Sequence, residues 1–134
     1  MLENCVEEKI KADSSTKLIG VTMLTSFDDK EINEIGIDRN VKENVNLLSG
    51  LAESCKLDGI VCSPHEISHI KSKFKLEVIA PGIRMNESQT DDQKRTLTAK
   101  EALKAGADIL VVGRPITQAD SPSDAARSIY DSIQ

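Results

Sequence analysis

The chain has 134 residues, a formal net charge of −5 and 39% hydrophobic residues, of which few are aromatic. This length points to one domain with an aliphatic core, and the acidic balance, with no basic stripe carrying aromatic platforms, argues against nucleic acid. No apolar run approaches the ~20 residues of a membrane span, and the acidic N-terminus has no signal-peptide core.

Taken in chain order, residues 1–12 predict an amphipathic helix with Leu2, Val6 and Ile10 on one face and no N-cap before it. Residues 17–24 predict the first strand. Ser26-x-x-Asp29 resembles a capping box for a short helix that Gly36 ends. Asn40 caps a longer helix in which Val41, Val45, Leu48 and Cys55 recur at helical spacing. Residues 58–62 predict the second strand and place Cys62 in the core. Ser63-Pro64-x-Glu66 then supplies an N-cap, a proline at the first helical position and a capping glutamate. Residues 76–80 predict the third strand, and a polar stretch covers residues 85–97. Thr98-x-x-Glu101 caps a helix that stops at Gly106. Residues 108–112 predict the fourth strand, and Ser121-Pro122 opens a last helix through Ala125, Ile129 and Ile133. Cys5, Cys55 and Cys62 show no C-x-x-C spacing and read as free thiols of a reducing, cytoplasmic compartment.

Four strands with interposed helices make a parallel α/β unit, in which ligands bind at the carboxyl ends of the strands. A complete eight-fold barrel needs ~250 residues. The chain therefore fits a small open sheet or half a barrel.

The strand ends carry the functional signal. The third strand runs into Pro81-Gly82-Ile83-Arg84 and the fourth into Gly113-Arg114-Pro115. Neighbouring strands lie ~4.8 Å apart, so both guanidinium forks would project from one end of the sheet and bind a phosphate dianion. Pro115 at a helix start would add a macrodipole. The plain alternative is a pair of solvated surface arginines. The hydroxyls of Thr25 and Ser26 suit either helix capping or a polar ligand ring. The polar stretch leaves directly from Arg84 and contains Gln93, whose amide suits a ligand contact if the stretch folds over the phosphate. His65-Glu66-Ile67-Ser68-His69 matches H-E-x-x-H, the zinc-protease pattern. It begins in the first turn after Pro64, where Glu66 is expected to cap, and reads as ordinary surface histidines, with no metal site. Asp28-Asp29-Lys30 reads as a capped, solvated turn.

Five segments resemble the bacterial type of orotidine 5′-phosphate decarboxylase, in order and at similar spacing: Val21 through Ser26, Leu57 through Ser63, Ala80 through Arg84, Asp91-Asp92-Gln93-Lys94-Arg95, and Gly113-Arg114-Pro115-Ile116. The resemblance implies a TIM (β/α)8 barrel that converts orotidine 5′-phosphate to UMP and CO2 with no metal or organic cofactor, as a homodimer. It implies that Arg84 and Arg114 clamp the phosphate, with Gly113 supplying backbone. Gln93 would be the lid residue, Thr25 would read the pyrimidine, and Pro81 would wall the base. The family's catalytic Asp-x-Lys-x-x-Asp motif has no counterpart; in Asp28-x-Lys30, Asn33 stands where the second aspartate belongs. The expectation is thus the C-terminal half of the barrel, strands five to eight, in one partial domain over residues 1–134, inactive alone. Residues 1–12 would be the helix after the fourth strand, with Met1 internal to a longer protein or a misassigned start. A non-catalytic phosphate or nucleotide-binding module, or another phosphate-binding barrel enzyme, are the alternatives.

Overall fold

The computed structural model describes residues 1–85 and 95–134. The first helix, α1 (Leu2–Lys11), begins at Met1 without a side-chain cap. Leu2 and Val6 pack on the core, whereas Ile10 is exposed. Strand β1 (Ile19–Val21) is shorter than the apolar run that predicts it. The short helix α2 (Asp29–Glu34) is capped by Asp28, not by Ser26. Asp28 accepts from the Glu31 amide at 2.9 Å and Glu31 returns a carboxylate to the Asp28 amide at 3.0 Å. At this helix start Asp28-x-x-Glu31, and not Ser26-x-x-Asp29, makes the reciprocal exchange; Asp29 instead accepts from the Val41 amide at 2.8 Å, tying α2 to the next helix.

Helix α3 (Val41–Ser54) starts at the expected Asn40–Glu43 box, but its buried face is Val41, Val45, Ser49 and Ala52. Leu48 lies on the exposed side with Leu47 and Leu51. Ser49 tolerates burial because its hydroxyl donates to the Val45 carbonyl at 2.7 Å. Strand β2 (Gly59–Val61) leads into a 3-10 turn (Pro64–Glu66) and helix α4 (Ile67–Lys73). Ser63 caps that turn at the His65 amide, 3.3 Å away. Glu66 does not cap; it turns inward. Strand β3 (Glu77–Ala80) follows, then two short strands absent from the sequence reading, β4 (Ile83–Arg84) and β5 (Leu97–Thr98). Helix α5 (Ala99–Ala105) has the expected Thr98–Glu101 box and ends at Gly106, whose φ of 109° needs a residue without Cβ. Strand β6 (Ile109–Leu110), the single turn α6 (Arg114–Thr117) and helix α7 (Pro122–Ser132) complete the chain.

The main sheet is β1-β2-β3-β6, all parallel, and β4 pairs with β5 separately. Spatial order follows chain order without the reversal of a doubly wound sheet. One face carries Ile60, Cys62, Val78 and Ala80, all fully buried against Val45, Ala52, Ile67, Ile70, Ala99, Ala102 and Ile129. The other face presents the registered row Val21, Val61, Ile79 and Ile109. Val21 is 62% and Ile109 48% exposed, although parallel strands are ordinarily covered on both sides. Helices on one face and an apolar second face are the two sides of a barrel wall.

The other end of the sheet is pinned by a repeated aspartate. Asp58, just before β2, accepts from the Leu18 amide and the Lys9 ammonium, both at 2.7 Å. Asp108, just before β6, accepts from the Val78 amide at 2.7 Å and the Lys71 ammonium at 2.9 Å. The Lys9 bond, helped by the Leu18 amide, holds the Asp58 carboxyl below its ordinary range. Burial pushes Asp108 up, but its amide and lysine donors bring it down overall. Between these staples Gly59 lies opposite Glu77. A Cβ there would sit 2.5 Å from the Glu77 carbonyl oxygen and 2.9 Å from its Cβ. Gly59→Ala is therefore expected to force β2 from β3 and cost about 1–3 kcal/mol, read as a lower urea midpoint; an unchanged midpoint would refute the close approach.

Candidate functional site

Pairing of Ile79 with Ile109 and of Ala80 with Leu110 brings the tips of β3 and β6 side by side. The chain leaves β3 through Pro81 and Gly82, and leaves β6 through Val111, Val112 and Gly113. Between the two exits lies a recess of about 190 Å³ lined by Pro81, Gly82, Ile83, Arg84, Gly113 and Arg114, with Val111 at its side. Four residues singled out from sequence, Pro81, Arg84, Gly113 and Arg114, thus share one cavity.

Each is placed by local structure. Gly82, at φ 79°, turns the chain so that Ile83 can enter β4. Ile83 is 2% exposed and anchors that strand in the core. Arg84, its neighbour, is itself 6% exposed, with Nη1 3.4 Å from the Ile83 carbonyl oxygen. Arg114 is half-buried and starts α6. A Cβ on Gly113 would meet nothing within 4 Å, so the backbone there borders open space. The expected macrodipole does not materialise: α6 spans only Arg114–Thr117, and one turn sums too few peptide dipoles. Positive charge in the recess comes from the guanidinium groups.

Thr25 lies elsewhere. It is 7% exposed in the turn after β1, closed by the Phe27 amide donating to the Leu24 carbonyl at 3.1 Å, and does not line the recess. Its strand is two places from β3, about 10 Å at ordinary strand spacing. Gln93 lies outside the described residues.

The H-E-x-x-H side chains diverge. His65 Nε2 lies 3.1 Å from the Thr96 carbonyl oxygen, and His69 Nε2 lies 3.3 Å from Asn46 Oδ1. Glu66 accepts from Arg95 Nη1 at 2.5 Å. Among the described residues no group of three His, Cys, Asp or Glu side chains converges as a metal site would require. Cys62 is buried at the end of β2; burial, helped by the nearby Glu66 charge, pushes its thiol up to about 12, which leaves it protonated and unreactive.

Sequence reasoning missed the Glu66–Arg95 pair. Ser63-Pro64-x-Glu66 spells a cap, which hid Glu66, and its partner stands 29 positions away. A larger recess of about 370 Å³, lined by Arg39, Lys42, Asn46, His69 and Lys73 among others, lies between α3 and α4 on the outer helix layer.

Known proteins resemble this chain along its length. The Erythrobacter litoralis orotidine 5′-phosphate decarboxylase is 43% identical over 124 residues, which is 92% of this chain and 55% of the relative. The enzyme of the same name from Wolbachia sp. subsp. Brugia malayi is 44% identical over 135 residues, 99% of this chain and 59% of the relative. The chain spans about half the length of the curated relatives it matches. Among solved structures, orotidine 5′-phosphate decarboxylase from Lactobacillus acidophilus superimposes with a TM-score of 0.71 at 33% identity, covering 90% of this chain and 50% of that one. An uncharacterized conserved protein from Geobacillus kaustophilus superimposes with a TM-score of 0.75 at 26% identity, covering all of this chain and 58% of that one. The fold is therefore half of a TIM barrel. The family model named for orotidine 5′-phosphate decarboxylase / HUMPS matches residues 1–129, and the chain belongs to that family.

Proposed function

We propose that this chain is the phosphate-binding half of an orotidine 5′-phosphate decarboxylase, a carboxy-lyase that forms UMP and CO2 in pyrimidine biosynthesis. The observation that carries the reading is the convergence of Arg84, Arg114, Gly113 and Pro81 on one recess at the carboxyl ends of neighbouring strands. Two guanidinium groups beside open glycine backbone suit a phosphate dianion. Thr25 follows β1, two places from β3 in the sheet, and we assign it to the ring end of a nucleotide whose phosphate occupies the recess.

The phosphate grip is remote from the bond that breaks. Its value lies in contacts that tighten as the transition state forms, so that binding energy at one end lowers the barrier at the other. The lysine and aspartates that would meet the departing carboxylate match nothing in these residues, so chemistry belongs to the complete barrel. Homodimeric assembly and a cytoplasmic setting go with the same reading; the three unpaired thiols accord with the latter.

Titration calorimetry of the chain with UMP, uridine and ribose 5-phosphate tests this. UMP is expected to bind with release of no CO2 from added orotidine 5′-phosphate. Equal affinity for UMP and uridine would remove the phosphate site. Ribose 5-phosphate outcompeting UMP would favour a sugar-phosphate enzyme.

A further inference from the structure

We propose that Arg95, held by Glu66, is a positioning residue that sets the Thr25 turn relative to the phosphate recess and thereby makes the site prefer a nucleoside monophosphate over a bare sugar phosphate. The inference rests on the reading above and extends it to two residues that do not line the phosphate recess.

Arg95 joins three separate parts of the site. Its Nη1 donates to Glu66 Oε1 at 2.5 Å, with the two side chains only 14% and 9% exposed. Its Nη2 donates to the Leu24 carbonyl oxygen at 2.8 Å. Its own carbonyl accepts from Ser63 Oγ at 3.2 Å. Two residues further on, Leu97 enters β5, where it pairs with Ile83 while Thr98 pairs with Arg84. One residue is thus fastened to the tips of β1 and β2 and lies beside the ladder that carries Arg84.

The Leu24 carbonyl is the sensitive point. It accepts from Arg95 and also from the Phe27 amide that closes the turn. Both lone pairs are engaged, which fixes the plane of the peptide linking Leu24 to Thr25. Loss of the Arg95 bond frees that peptide to rotate and carries the buried Thr25 hydroxyl with it. A planar guanidinium makes both contacts from one rigid group; a lysine ammonium has no such fork.

Stability alone is a poor account of the pair. Glu66 Oε2 and Arg95 Nε are buried with no hydrogen-bond partner among the described residues. A buried ion pair gains little over apolar packing, because desolvation offsets its attraction. What it supplies is a fixed geometry between the strand tips.

The experiment titrates the chain with UMP and with ribose 5-phosphate, for the native protein, Arg95→Ala, Arg95→Lys, Glu66→Gln and Arg84→Ala, with far-UV circular dichroism as a check on folding. The native chain is expected to prefer UMP. Arg95→Ala and Glu66→Gln should lose at least ten-fold in UMP affinity while ribose 5-phosphate affinity stays within two-fold, and Arg95→Lys should fail to restore UMP. Arg84→Ala should lose both ligands. If Arg95→Ala does not fold, the near-isosteric Glu66→Gln decides alone. A parallel loss of both ligands in folded Glu66→Gln, or an undiminished preference for UMP, overturns the positioning role. A native chain that binds ribose 5-phosphate but does not prefer UMP also overturns it while leaving the phosphate recess intact; one that binds neither overturns both.

Discussion

Replacing Arg114 with alanine is expected to reduce kcat/KM of the complete eight-stranded enzyme by roughly 30- to 1000-fold, as follows from about 2–4 kcal/mol for a charge-assisted, two-pronged contact to phosphate. The size of the effect follows from where Arg114 sits: it lines the recess, opens α6, and is half-buried, so water screens it only partly. Arg114→Lys keeps the charge but not the fork and should recover only part of the loss. The same substitution should weaken UMP far more than uridine. Unchanged kcat/KM in Arg114→Ala would end the clamp assignment. Arg114 is a sharper probe than Arg84, which is almost wholly buried in β4 and contributes to packing there.

The second large effect concerns the open face of the sheet. Val21 and Ile109 lie in one registered row yet are 62% and 48% exposed. A glutamate in a packed interior ordinarily costs several kcal/mol, because its charge loses water without gaining a partner. In these 134 residues alone, the double substitution Val21→Glu with Ile109→Glu should leave the urea midpoint nearly unchanged and lower the binding of an apolar dye. In a complete barrel the same two changes bury charge and should abolish the fold. A large loss of stability in the chain alone would mean that the face is covered by something other than the second half of a barrel wall.

Much of the architecture was legible. Runs such as Gly59-Ile60-Val61-Cys62 and Glu77-Val78-Ile79-Ala80 are β-branched and apolar because both faces of a parallel strand meet other groups, and they announce themselves at any position in the chain. The boxes at Asn40 and Thr98 were equally plain, since a cap is a local exchange over three residues. At α2 the Ser26-x-x-Asp29 pattern named the wrong cap, because Asp28 stands two residues on and exchanges bonds with Glu31 instead. Helix α3 shows a different limit. Hydrophobicity favours Leu48 for the core, but Val41, Val45 and Ala52 set the phase, and Ser49 occupies the buried position by bonding its own backbone. The clustering of Pro81, Arg84, Gly113 and Arg114 could be anticipated because two strand ends carry the same glycine–arginine signature. The Glu66–Arg95 pair could not, because it depends on a meeting of distant segments that no short pattern encodes.

The agreement between chain order and spatial order in the main sheet has a consequence for synthesis on the ribosome. Translation delivers β1, then β2, then β3, then β6, and each newcomer finds its neighbour already emerged. Asp58 and Asp108 can fasten β1 and β3 as soon as the next strand arrives. The wall can therefore grow by accretion at one edge. No late strand must be inserted between two earlier ones, a rearrangement that would require a nascent sheet to reopen hydrogen bonds it had already made.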